Sequence, residues 1–330
     1  APSSLRRLRM TAFGSSALPD TAAVFSSPHR MPRLLASLAV VFWGISFVAT
    51  KAALEEVSPI TVIFMRFAIG AALLFAIVRS LPPRRSWPGV VLIGFIGVFV
   101  HQMLQAYGLT MTTASNTGWI IGLTPIWSAL LAVAVGRERF GLWKVVGLVG
   151  GFAGALLVMT KGNFSMGVFS LPSTRGDLLI VLSTMNWAVY SVIGHRTIRD
   201  IGPRHATSGA MLAGVVLLAP FFVASQGWRE LPRLTVTGWS AILFLGVCCS
   251  ALGYLFWYNA LQHLEVSRVA ALLYAEPLVT FAAAVLLLGE RVSSVVIAGG
   301  VLVILSVLIS QYAPARFSAR RDSTVTPEEA

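Results

Sequence analysis

Hydrophobic positions along this chain run together instead of alternating. Ten stretches are almost continuously apolar: roughly 34–54, 60–80, 89–109, 113–135, 142–160, 176–195, 205–226, 238–261, 266–288 and 293–312. A helix needs about 20 such residues to cross a hydrocarbon layer of ~30 Å. Barrel strands would alternate apolar with polar over about 10 residues, and an open strand would leave its backbone polar groups unpaired in lipid. The pattern therefore predicts an all-α integral membrane protein of ten transmembrane helices. Pro, Gly or charge marks most joints, as at Ser58-Pro59, Leu81-Pro82-Pro83-Arg84-Arg85 and Gly202-Pro203-Arg204. Residues 1–33, rich in Ser, Ala, Pro and Arg, read as a disordered cytoplasmic arm, and 313–330 as a cytoplasmic tail.

Composition agrees. Of the 330 residues 56% are hydrophobic and only 12% charged, about half the ~25% of a soluble domain. The net charge of +12 would suggest nucleic acid in a soluble protein. When the ten spans are alternated, however, 18 of the 25 Lys and Arg residues fall on one side and 6 on the other, with Arg66 inside a span. The excess is an orientation signal, and it puts both termini in the cytoplasm of a cell with the chain in its inner membrane. No nucleic-acid partner is called for. Cys248 and Cys249 are adjacent, which disfavours a disulfide between them. No metal-ligand spacing is present, and neither a metal nor a cofactor is expected.

The chain also repeats itself. At a spacing of 152, Trp87 matches Trp239, Gly94 matches Gly246, Ser115 matches Ser267, Pro125 matches Pro277, and Glu138-Arg139 matches Glu290-Arg291. At a spacing of 144, Trp43 matches Trp187 and Gly70 matches Gly214. This divides the chain into repeats at 34–161 and 176–312. Each repeat holds five spans, an odd number, so the second enters the membrane from the opposite side. Inverted repeats are an architecture of secondary transporters.

Trp43-Gly44-x-Ser46-Phe47-x3-Lys51, Arg66 and the paired Pro125…Glu138 and Pro277…Glu290 are carried on ten spans in two halves. With these features the chain resembles the drug/metabolite transporter superfamily in its EamA-like branch. The resemblance covers about 34–312 and implies metabolite transport, usually export, with amino-acid exporters among the members.

Pro125 and Pro277 fall near the middle of their spans, where each removes a helix hydrogen bond and invites a kink. Interrupted helices at matching repeat positions point to a transporter's binding site. Glu276, before Pro277, is the one acid deep in a span. It reads as a ligand for a substrate amine or as a proton-coupling group, with a purely structural carboxyl as the alternative. Its repeat partner is Thr124. Arg66 is the one basic residue placed inside a span; it suits a substrate carboxylate, although pairing with a neighbouring helix or snorkelling outward is favoured. Lys51 reads as an interfacial anchor. His101 and Gln105 share one face at i, i+4, accompanied by Gln102. Trp43, Trp119, Trp187, Tyr254, Tyr258 and Tyr274 supply aromatic surface suited to an amphipathic organic solute. The glycines at 147, 150, 151 and 154 allow close helix approach, within the chain or in a weak dimer.

There is no P-loop, no H-E-x-x-H and no G-x-S-x-G. The chain therefore reads as a non-enzymatic carrier that exports small amphipathic metabolites by alternating access, with or without coupling to a proton or other gradient. A membrane-embedded enzyme and a channel are the alternatives. Its partners are a small-molecule substrate and the lipid bilayer.

Overall fold

A computed structural model describes residues 30–134, 142–165, 171–264 and 272–322. Among them every regular element is helical. Six helices are long and apolar enough to cross a bilayer. These are α1 (Arg30–Leu54), α2 (Pro59–Val78), α3 (Arg84–Met111), α7 (with its apolar part Pro172–Gly194 and its end at Ile201), α8 (Pro203–Ala224) and α9 (236–263). Shorter helices are α4 (Ala114–Ile121), α5 (Thr124–Ala134), α6 (Leu142–Thr160), α10 (Glu276–Leu288) and α11 (Ser294–Asp322). The ends of α11 and α1 show where the terminal expectations stand. The helix of α11 runs on through the segment read as a tail, while residues 1–29 and 323–330 lie outside the described residues.

The stretch 113–135, read as one kinked helix, is two helices separated at Gly122 and Leu123. Pro125 sits in the first turn of α5 and Pro277 in the first turn of α10, which a short 3-10 turn at Leu273–Ala275 precedes. A proline in a helix's first turn gives up an N–H that has no intrahelical acceptor anyway. The break replaces the kink, and it costs no hydrogen bond at the proline. Two further helices are interrupted differently. α3 is π-helical over Phe95–Val100, and α9 over Phe244–Leu252. The α-helical segments after these bulges are His101–Met111 and Gly253–His263, related by the same spacing of 152 as the sequence matches. Thr124 and Glu276, which open α5 and α10, are also 152 apart.

Helix packing brings these interruptions together. α3 lies along α7, α9 and α10 along α1, α2 along α8, and α5 against α7. One close crossing is α6 on α11. A Cβ on Gly154 would stand 2.6 Å from the Gly299 carbonyl oxygen, and one on Gly299 2.8 Å from that of Gly154. The glycine run of α6 is thus used for packing inside the chain. The outward surface stays apolar, with Val149 and Val216 each 63% and Leu286 80% exposed, as a lipid-facing belt requires.

Carboxylates from other segments cap three helix starts at one end of the bundle. Glu230 accepts from Ser58 N at 2.8 Å before α2, and Glu290 accepts from Ala114 N at 2.8 Å and Ser115 N at 2.9 Å in α4. Glu56 accepts from Thr235 N at 2.7 Å and from its hydroxyl at 2.6 Å before α9. Those Thr235 bonds hold the Glu56 carboxyl below its ordinary value of 4.5. This cap is therefore complete above that value and is lost as pH falls through the lowered one.

Gly299→Leu should drive a side chain into the α6 backbone and lower the apparent melting temperature in detergent, by an overpacking cost of about 1–3 kcal/mol. Gly194→Ala, whose nearest new contact is an ordinary 3.4 Å, should leave it unchanged or raised. Equal melting of all three proteins would show that the α6–α11 crossing is not close-packed.

Candidate functional site

A cavity of about 520 Å3 lies among α1, α2, α3, α4, α5, α7, α9, α10 and α11. Its wall holds Trp43, His101, Gln105, Thr124, Pro125, Trp187, Tyr254, Tyr274, Glu276 and Pro277, ten residues singled out in the sequence, now brought together from distant helices. Trp119 is not among them. Its indole is 2% exposed and packs between Phe281 and Gly300, filling the space between α4 and α11. Tyr258 belongs to the α9 helix, but its side chain lies outside the described residues, as does Glu138.

Two aromatic walls face the cavity, each built across one helix pair. On one side the Trp43 ring of α1 meets Tyr254 at 5.4 Å and Trp257 at 5.3 Å, both of α9. On the other, Trp187 of α7 meets His101 of α3 at 4.9 Å and Tyr190 at 5.0 Å. The π-helical bulges explain how these pairs lock. Trp43 Nε1 donates to the Cys249 carbonyl at 3.0 Å, inside the α9 bulge. Asn186 Nδ2 donates to the Ile96 carbonyl at 2.8 Å, inside the α3 bulge. In each case a side chain of the facing helix bonds a carbonyl inside a π-helical stretch and ties the two helices together there. His101 Nδ1 stands 3.1 Å from the Ser183 carbonyl.

The floor is formed where α5 and α10 start. Thr124 Oγ1 donates to Ile121 O at 2.8 Å, across the break. Thr280 of α10 donates to Gly44 O at 2.9 Å and Glu276 O at 3.0 Å, fixing α10 to α1. Gly44 permits this approach, since a Cβ there would come within 2.7 Å of Val279. The Glu276 carboxyl is left facing the cavity.

Sequence reasoning missed Ser46, Phe47, Ser128 and Ser191 as wall residues; Arg66, read as suited to a carboxylate but favoured for helix pairing, lines the wall and does pair with neighbouring helices. Tyr190 and Trp257 had a signal, standing three residues after Trp187 and Tyr254 and so on the same helical face. Arg66 does not snorkel; it is 8% exposed and turned inward.

The cavity reaches Ile198 near the end of α7 but stops short of the opposite end of the bundle. That end is closed at the corner between α3 and α4. Lys51 Nζ donates to Leu109 O at 2.6 Å and Thr112 O at 2.5 Å, so it is a helix cap and not the interfacial anchor its position suggests. Asp177 of α7 accepts from the Thr112 hydroxyl and, at 3.1 Å, from Asn116 Nδ2. Glu290 holds the start of α4 from the third side. A separate pocket of about 10 Å3, room for one water at most, lies between the cavity and this corner, lined by Thr50, Arg66, Gln105 and Leu109.

The family description of EamA-like transporters matches this chain twice, over residues 31–160 and 174–312. The chain belongs to the EamA-like transporter family. It is therefore a multi-pass membrane protein whose partners are the bilayer and a small solute. An Archaeoglobus fulgidus protein named an uncharacterized transporter is 33% identical over 84% of this chain and 97% of its own length. A Streptantibioticus cattleyicolor protein named "Probable terminal-alkyne amino-acid exporter" is 27% identical over 88% of this chain and 95% of its own. A solved crystal structure, 21% identical, shares the fold with a TM-score of 0.60 over 87% of this chain and 98% of that one. The first two of these relatives are named for transport.

Glu290→Ala should uncap α4 and loosen the closed end. In a background with Cys248 and Cys249 replaced by Ala, Thr50→Cys should react slowly with a membrane-impermeant maleimide applied from outside. Adding Glu290→Ala should speed that reaction about fivefold or more, the effect of losing a cap bond of ~1 kcal/mol or more. Unchanged reactivity would mean that this corner does not close the path.

Proposed function

We propose that this EamA-family protein is a ten-helix carrier in the inner membrane, with both termini cytoplasmic. It exports small amphipathic metabolites, amino acids among them, by alternating access of two inverted five-helix repeats. The observation that carries the reading is the cavity itself. It has aromatic walls, a few convergent polar groups and one acid, and it lies where two half-helices begin at repeat-matched positions. Such a chamber suits an organic solute better than a small inorganic ion, which asks for clustered carboxylates or carbonyls.

Alternating access draws support from the asymmetry of the two ends. The cavity extends along α7 to Ile198, while Lys51, Asp177 and Glu290 close the other end. A channel would be continuous when open; a carrier is closed at one end in each resting state. The two family matches, one per half, support the duplication. The amino-acid exporter name of one relative supports the substrate class. In the ten-span reading the closed end is the outer one, because the arms richest in Lys and Arg lie at the opposite end.

Glu276→Gln should lower export in proteoliposomes by about tenfold or more, the worth of a lost charge-assisted hydrogen bond. It should also flatten the pH dependence of export. Transport and pH profile both unchanged would make Glu276 structural.

A further inference from the structure

Arg66 and Glu276 share one cavity and do not meet. Arg66 is held from three directions. Its Nε donates to Ser250 Oγ of α9 at 3.0 Å, its Nη1 donates to Gln102 Oε1 of α3 at 3.3 Å, and its guanidinium carbon lies 5.2 Å from the Phe67 ring centroid. Both acceptors are neutral, and they engage two of the five N–H groups. Among the described residues no carboxylate lies within salt-bridge reach of it; the ion pairs there join Arg196 and Arg199 to Asp200. The Glu276 carboxyl, in turn, accepts no hydrogen bond from a described residue, although its backbone carbonyl does.

An unpaired charge in a membrane interior is costly, and a pair kept for stability would be expected in contact. A guanidinium and a carboxyl fixed on different helices around 520 Å3 of space are instead complementary to a molecule that carries both a carboxylate and an ammonium group. We propose that Arg66 binds the carboxylate of a zwitterionic cargo whose ammonium group faces Glu276 and whose apolar side chain lies against Trp43, Tyr254 and Trp257. The assignment rests on the reading of this cavity as the cargo site, and it names the chemical class that the site takes. Arg66, Gln102 and Gln105 also line the small pocket toward the closed end. The carboxylate end of the cargo is thereby placed at the foot of the exit path, with the amine behind it.

The test uses the full chain purified in detergent. Binding of L-phenylalanine, phenethylamine and 3-phenylpropionate is followed by quenching of the cavity tryptophans. Affinity ratios are taken within one preparation, so that the amount of folded protein cancels. The wild type should bind phenylalanine at least tenfold more tightly than phenethylamine, the span of a charge-assisted hydrogen bond being about 10–100-fold. Arg66→Gln should remove that preference while leaving phenethylamine within about threefold of its wild-type affinity; Arg66→Lys, which keeps the charge but not the fork, should retain part of it. Three results overturn the proposal: no preference for phenylalanine in the wild type, a parallel loss of all probes in both Arg66 variants, or displacement of phenylalanine by chloride or inorganic phosphate at equal concentration. The carrier reading fails by a different result, namely the absence of counterflow of any of the three probes through wild-type proteoliposomes.

Discussion

A helix can be interrupted inside a hydrocarbon layer only where something other than lipid takes up the freed backbone groups. This chain interrupts its helices at four places: the bulges of α3 and α9 and the starts of α5 and α10. The starts of α5 and α10 and the helical segments that follow the two bulges line one cavity. Trp43 and Asn186 bond carbonyls inside the two bulges, Thr124 bonds across the break before α5, and Thr280 ties the start of α10 to the Gly44 carbonyl of α1. The two aromatic walls are tied to the bulges in this way, Trp43 by its own indole and Trp187 through its neighbour Asn186. The same requirement governs the closed end, where Lys51 takes the last carbonyls of α3 and Glu290 the first amides of α4.

Glycine sets how near the facing helices come. Gly44 and Gly118 let α1 and α4 reach α10 closely enough for Thr280 to bond the Gly44 carbonyl. The crossing of α6 and α11 is packed through Gly154 and Gly299, while Ile304 and Val307 of α11 reach the cavity wall. The mutual arrangement of these helices suits a division of labour, in which a closely packed pair serves as scaffold while the interrupted helices change partners.

The helical class was legible in the sequence because lipid burial imposes one long-range rule on every span. So were the repeat-matched prolines and ten residues of the cavity wall, since a polar or aromatic side chain in mid-span is costly unless it faces an interior. What was not legible depends on contacts between distant segments. Nothing local separates Trp119, which fills a packing gap against Gly300, from Trp43, which lines the cavity. Lys51 at a span end looks like an anchor until Leu109 and Thr112 are seen beside it. Pro125 suggests a kink, and only the turn at Gly122 and Leu123 shows that the helix has already ended.

The central claim is that the two ends of this cavity open in alternation. Spin labels replacing the exposed Arg199 and His263 span the open end, and labels replacing the exposed Glu55 and Arg175 span the closed one. Pulsed dipolar spectroscopy in liposomes, with and without cargo, reads both distances. The account predicts that the first shortens in the same population in which the second lengthens. Two distances that stay fixed, or that lengthen together, while counterflow proceeds would contradict it.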